Sequence, residues 1–338
     1  MSFSRFNVFV FIFFSSVVPI FAADVGCDSH ADTQFVCGPV SPEDLLSIPD
    51  TPWVIVSSME DEGYISVANI LDYSTVIVFP SNDASIEYNS NIYPDCPGSP
   101  NSRFRPHGLS LRSGTDGSHT LYVVAHGERE SVEVFDVDIA NGAVPKLTWI
   151  GCAVAPPGVG LNSVAALPDE GFAATNFNIA AGNLWEWHAA IGWLEVPGSK
   201  MPGPNGLVVS KDGRWFYIGG WVEESLIRLS RGRSPVIRES VAVGFHVDNV
   251  RWTDDGSLLA AGQYSQAAAN ILSCLNGGQC DGVSTRVARI APDTLSAQQL
   301  LDYPSDDILI LGTVAIEVGE ELWVGAIAGG NKIGRFPL

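Results

Sequence analysis

Hydrophobic positions along this chain recur in short aromatic or β-branched runs, and each run follows a turn. The turns read Pro-Asp-Thr-Pro at 49–52, Thr-Asp-Gly-Ser at 115–118, Pro-Asp-Glu-Gly at 168–171, Lys-Asp-Gly-Arg at 211–214, Asp-Asp-Gly-Ser at 254–257 and Val-Gly-Glu-Glu at 318–321. Residues 53–57, 121–125, 172–175, 215–219, 258–261 and 322–325 follow them and are predicted strands. Asp-Gly supplies the backbone freedom that a tight hairpin needs. A further strand is predicted after most copies, at 132–136, 225–229 and 285–289. Six turns give about one unit per 53 residues, close to the repeat of a propeller blade. The expected fold is all-β, a single six-bladed β-propeller; a β-sandwich would leave six similar units unexplained.

The offset upstream of each turn carries the candidate chemistry. Seven residues before Asp50, Asp169, Asp212, Asp255 and Gly319 stand Glu43, Asn162, Asn205, Asp248 and Gly312. The remaining copy has Pro106-His107-Gly108 ten residues before Gly117, which implies a small insertion. A fixed offset puts each of these residues at the same end of its blade's innermost strand. Glu43, Asn162, Asn205 and Asp248 should then converge at one mouth of the central channel, with Asn249 beside them. Five side-chain oxygen donors, two of them carboxylates, suit a hard cation. Calcium accepts six to eight oxygens in flexible geometry and leaves room for water and substrate. Magnesium prefers a stricter octahedron, and zinc would call for His or Cys.

The segment before residue 23 belongs to targeting rather than to the fold. Arg5 precedes an almost wholly apolar stretch at 6–21, and Ala22-Ala23 offers a small-residue cleavage site, which is a secretory signal pattern. An uncleaved anchor is the alternative, but Ser15, Ser16 and Pro19 interrupt the stretch. The propeller is assigned to residues 23–338. Six cysteines (Cys27, Cys37, Cys96, Cys152, Cys274 and Cys280) suit an exported, disulfide-bonded chain, extracellular or periplasmic. Fifteen pairings are possible. Proximity favours Cys27–Cys37 and Cys274–Cys280, which leaves Cys96–Cys152. No Cys-x-x-Cys occurs to suggest zinc or thioredoxin-like chemistry.

Composition narrows the function classes. The chain has 338 residues, 46% hydrophobic and only 17% charged, so a substantial core is available. Acidic side chains number 38 against 18 basic, a formal charge of −20. That balance excludes a nucleic-acid partner and disfavours an anionic membrane surface. There is no Gly-x-Ser-x-Gly elbow, no His-Glu-x-x-His, no Gly-x-Gly-x-x-Gly and no P-loop.

Ser41-Pro-Glu-Asp-Leu45, Arg105-Pro-His-Gly-Leu-Ser110, Val123-Val-Ala-His126, Leu161-Asn-Ser-Val164, Pro204-Asn-Gly-Leu207 and Val247-Asp-Asn-Val250 stand in the order seen in paraoxonases (arylesterases). The chain resembles the wider paraoxonase, gluconolactonase and senescence-marker-protein superfamily over about residues 38–338. The resemblance implies a channel calcium on Glu43, Asn162, Asn205, Asp248 and Asn249, hydrolysis of a small-molecule lactone or aryl ester, and His107 with His126 as the histidine dyad. His107 is then the general base that takes a proton from water, and His126 orients it. His30, His119 and His246 are expected at the surface or in support.

Paraoxonases also hold a second, structural calcium on the Asp after the Glu and the Asp after the first channel Asn. Asp44 is present here, but the other position is Ser163. The family disulfide joining the chain ends has no counterpart, so the N-terminal segment is expected to close the ring by adding a strand to the last blade. Trp185, Trp187 and His188 lack an evident counterpart and are expected to alter the active-site wall. Two other functions remain. The chain could be a calcium-stabilised extracellular binding module in which both histidines are incidental. Strictosidine-synthase-like condensation is the other, though a full metal shell argues against it. Nothing in the pattern sets an oligomeric state.

Overall fold

The computed structural model describes Cys27 and residues 33–114, 117–140, 142–305, 308–328 and 330–338. The expected signal segment at 1–22 and His30 lie outside these residues. After β1 (Gln34–Cys37), blade one is formed by β2 (Pro42–Ser47), β3 (Trp53–Ser58), β4 (Tyr64–Asn69) and β5 (Thr75–Phe79). A two-residue strand, β6 (Ser85–Ile86), then joins the outer edge of blade two in parallel. That blade comprises β7 (Arg105–Ser113), β8 (Ser118–His126), β9 (Ser131–Asp138) and β10 (Lys146–Val154). Blade three holds β11 (Leu161–Ala166), β12 (Phe172–Asn176), β13 (Asn183–His188) and β14 (Gly192–Glu195). In blade four are β15 (Pro204–Val209), β16 (Trp215–Gly220), β17 (Ser225–Ser230) and β18 (Arg238–Ala242).

Blade five runs β19 (His246–Trp252), β20 (Leu258–Tyr264), β21 (Ser284–Ala291) and β22 (Ser296–Pro304). A helix, α1 (Ala268–Leu275), interrupts it between β20 and β21. Blade six has β23 (Ile310–Val318), β24 (Glu321–Ala328) and β25 (Lys332–Pro337), and β1 completes it from the other end of the chain. In that closure Gln34 stands opposite Arg335 and Cys37 opposite Lys332. The expected N-terminal closing strand is therefore present.

The predicted strands fall on β3, β8, β12, β16, β20 and β24, each the second strand of its blade. In the five copies whose turn lies wholly within the described residues, that turn is the hairpin out of the first strand. The six first strands, β2, β7, β11, β15, β19 and β23, contact one another in sequence and form a closed inner ring. The insertion inferred in the second copy is a longer hairpin: β7 and β8 each span nine residues, whereas β2 and β3 span six.

Every inner strand also breaks register with its neighbour once. The shifts fall between Pro42 and Asp44, Pro106 and Leu109, Leu161 and Val164, Pro204 and Leu207, Val247 and Val250, and Gly312 and Val314. A bulge leaves residues out of the ladder and re-aims their side chains. The residues within the shifts include Glu43, His107, Asn162, Asn205, Asp248, Asn249 and Thr313. In blades one, three, four and five the seven-residue offset is the distance from this bulge to the hairpin turn, whereas in blade six it lands on Gly312, which stays paired with Ala326 one residue before the bulged Thr313.

Apolar side chains fill the seams between blades. Leu45, Val56, Val314, Trp323 and Ile333 cluster where blade one meets blade six. Fully burying a side chain of this kind contributes about 1.5–3 kcal/mol. The two disulfides favoured by proximity, Cys27–Cys37 and Cys274–Cys280, and the remaining pair, Cys96–Cys152, are all formed. Among the described residues no helix is long and apolar enough to cross a membrane.

Candidate active site in the central channel

At the bulged end of the inner ring lies a cavity of about 500 Å³. Its polar floor includes Glu43, His107, Asn162, Asn205, Asp248, Gln263 and Thr313. Met59, Phe177, Trp221, Leu311 and Ile327 form apolar walls, with Ile271, Leu272 and Leu275 of α1 at the mouth. Two glycines allow the floor to close up. A Cβ on Gly108 would sit 2.6 Å from the carbonyl oxygen of Asn162, and one on Gly206 would sit 2.7 Å from the Cα of Asn249. Each follows a floor residue, so the missing side chain lets neighbouring inner strands approach where donors must converge.

Two carboxylates occupy this floor without a cationic partner in direct contact. Glu43 is 1% exposed. Its Oε1 accepts from Asn249 Nδ2 at 2.7 Å, and its Oε2 has no hydrogen-bond partner. Burial pushes its pKa up to about 7, against the pull of Asn249 and Arg251. Asp248 is likewise pushed up to about 7, first by burial and then by the charge of Glu43. Its Oδ2 accepts from Gln263 Nε2 at 2.8 Å, while Gln263 Oε1 accepts from Trp221 Nε1 at 3.1 Å. Asn205 Oδ1 is also buried with no partner. Asn249 is turned toward Glu43, and its amide does not line the cavity.

Orphaned oxygens on two chain segments, next to buried acids that lack a counter-charge, suit an oxygen-liking cation. Amides supply most of the donor set. Accordingly, no group of three or more His, Cys, Asp or Glu poised for a metal occurs among the described residues.

A hydrogen-bonded chain leads away from the floor. Glu130 Oε1 lies 2.8 Å from His126 Nδ1, and His126 Nε2 lies 2.8 Å from His107 Nδ1. His107 Nε2 is 3.4 Å from Glu43 Oε1. The carboxylate at the outer end sets the tautomers by elimination. His126 donates from Nδ1 to Glu130, so its Nε2 accepts from His107 Nδ1, and His107 keeps a lone pair on Nε2 toward the floor. Burial lowers the pKa of both rings, with Glu130 opposing the shift at His126, which favours their neutral forms. An uncharged imidazole with its free nitrogen toward the cavity can take a proton.

Four residues that complete the site escaped the sequence analysis: Glu130, Gln263, Thr313 and Arg251. Glu130 had a local signal, four residues after His126. Gln263 stands opposite His246 on the neighbouring strand and needed the register to be seen. Thr313 Oγ1 donates to the Glu43 backbone oxygen at 2.6 Å across the seam of blades one and six.

One expectation is corrected. Trp185, Trp187 and His188 lie on β13, the third strand from the axis, and do not line the cavity. Trp187 instead stacks between Tyr93 and Phe172. Of the two places expected for His119 and His246, surface or support, both take a buried one. His246 contacts the Trp221 backbone oxygen through Nδ1 at 2.6 Å and so supports the Trp221–Gln263–Asp248 relay.

No family model and no curated protein matches the chain. Solved structures do. A putative gluconolactonase aligns with a TM-score of 0.55 at 12% identity, covering 92% of this chain and 93% of that one. A luciferin-regenerating enzyme aligns at 0.54 and 13%, covering 90% and 94%. Regucalcin from Agrobacterium tumefaciens, a calcium-binding protein, aligns at 0.53 and 13%, covering 90% and 93%. The likeness is one of fold. All three share the propeller across nearly their whole length with this chain, at identities too low to carry an activity.

Proposed function

We propose that this chain is a secreted, calcium-dependent hydrolase of lactones or aryl esters acting at the bulged mouth of its central channel. The observation that supports this most is the pairing of unpartnered oxygens on Glu43 and Asn205 with a neutral His107 whose free Nε2 faces the same floor. Glu43, Asn162, Asn205 and Asp248 would hold the cation, with Asn249, the fifth expected ligand, instead fixing the Glu43 carboxylate from behind. When bound, calcium supplies Lewis acidity toward the substrate carbonyl.

The chain's own residues do the rest. His107 Nε2 accepts a proton from the attacking water, and His126 holds the ring through Nδ1 while Glu130 fixes both tautomers. Gln263 keeps Asp248 aimed inward. Met59, Phe177, Trp221 and the α1 leucines provide an apolar wall for the acyl or aryl part and exclude bulk water. The three disulfides suit an oxidising compartment outside the cytoplasm.

The test is hydrolysis of phenyl acetate and of a γ- or δ-lactone with calcium, with chelator, and by His107→Gln. Turnover lost on chelation and in the variant supports the proposal. Calcium-dependent melting with no turnover in any condition would instead identify a binding module.

A further inference from the structure

Below the floor, the channel holds a second charged centre. Asp44 is fully buried, with Oδ1 accepting from Leu45 N at 2.9 Å and Oδ2 from Leu109 N at 2.7 Å. The Arg251 guanidinium, also buried, presses against the same Oδ2 through Nη2. Its other bonds run from Nε to the Leu45 backbone oxygen at 3.0 Å, from Nη1 to Val250 O at 3.0 Å and from Nη2 to Leu109 O at 3.1 Å. Three carbonyls and a carboxylate, drawn from β2, β7 and β19, thus converge on one positive group. A buried cage of carbonyl and carboxylate oxygens is what a hard divalent cation takes. Ser163, at the position where the resemblance calls for a second acid, is committed elsewhere: its hydroxyl accepts from Leu207 N at 3.1 Å.

We propose that Arg251 is a built-in replacement for a structural metal ion. Its guanidinium fills the inner cage, so the chain has room for one divalent cation rather than two. Arg251 also ties β2, which carries Glu43, to β7 and β19, which carry His107 and Asp248. It is therefore a positioning residue for the outer floor.

Removing one partner of a buried pair strands a charge, whereas neutralising both partners does not. In chelator, Arg251→Met should lower the melting temperature by about 10 °C, and adding Asp44→Asn to it should recover most of that loss. Calorimetric titration of the chelator-treated, unsubstituted chain with calcium should saturate at one equivalent. A second equivalent overturns the proposal. So does Arg251→Met melting like the unsubstituted chain, or a double variant no better folded than the single one. The melting comparison is made without metal and is independent of the activity proposed above. Absence of any calcium binding would refute that activity's metal and leave Arg251 to be judged on melting alone.

Discussion

The metal-free channel should give the fold a stability that falls with rising pH in the weakly acidic range. Glu43 has an ordinary pKa of 4.5 in the unfolded chain and about 7 when buried in the metal-free fold. Below pH 4.5 both states hold the proton and nothing is lost. Between 4.5 and 7 only the unfolded state releases it, so folding loses free energy as the pH rises, and above 7 the loss is constant. At 1.36 kcal/mol per pKa unit the loss from Glu43 amounts to about 3 kcal/mol. Asp248 titrates in the same window, and the two share the effect because each raises the other.

Urea denaturation of chelated protein at pH 5 and pH 8 measures the fall. Glu43→Gln isolates it, since an amide cannot ionise and its fall should be smaller by about 3 kcal/mol. Calcium added at pH 8 should restore the lost stability, because the cation offsets two ionised carboxylates. Its apparent affinity should weaken as the pH drops below 7 and protons compete for the same oxygens. If Glu43→Gln and the parent chain show the same pH dependence, or if chelation at pH 8 leaves stability untouched, the two acids do not form an uncompensated cation site.

His107→Gln should cut lactone or phenyl acetate turnover about 10²- to 10⁴-fold with calcium binding retained, read by steady-state kinetics beside a calcium titration. Because burial lowers the His107 pKa, the acid limb of kcat/KM measured at saturating calcium should lie below pH 6.5; a limb at or above that value under saturation would remove His107 as the base. Glu130→Gln should lower kcat on the order of 10²-fold by releasing the tautomer of His126, with little change in melting temperature. Gly206→Ala should destabilise the fold by about 1–3 kcal/mol and weaken calcium binding, since its Cβ would push against Asn249 and the Asp248 backbone; melting with and without calcium separates the two effects.

The inner strands were legible because their signal is local. An Asp-Gly hairpin and a bulge seven residues before it belong to one strand and its turn, so both lie within a single short window of sequence. The same holds for Cys274 and Cys280, which are six residues apart and form a pair. Arg251 and Asp44 are separated by 207 positions, and no periodicity connects them. Their contact follows only from closing the ring, which sets β2 and β19 on one axis. Thr313 was hidden for the same reason, since its hydroxyl reaches the Glu43 backbone across 270 residues. Helix α1 lies in an insertion between two strands, outside the repeat that organises the blades. Trp185 and Trp187 misled because an aromatic pair in a strand marks burial without showing how far from the axis it occurs.

Closure by β1 has a kinetic consequence. The strand that seals blade six is made about 300 residues before its partner, with Gln34 matched to Arg335. Loop-closure entropy must be spent before that pairing returns anything, and topologies rich in such distant contacts fold slowly. A nascent chain emerging in order would therefore expose two unpaired blade edges until the ring snaps shut. Shielding those edges from other chains is a task for folding helpers outside the chain rather than for the sequence of any single blade.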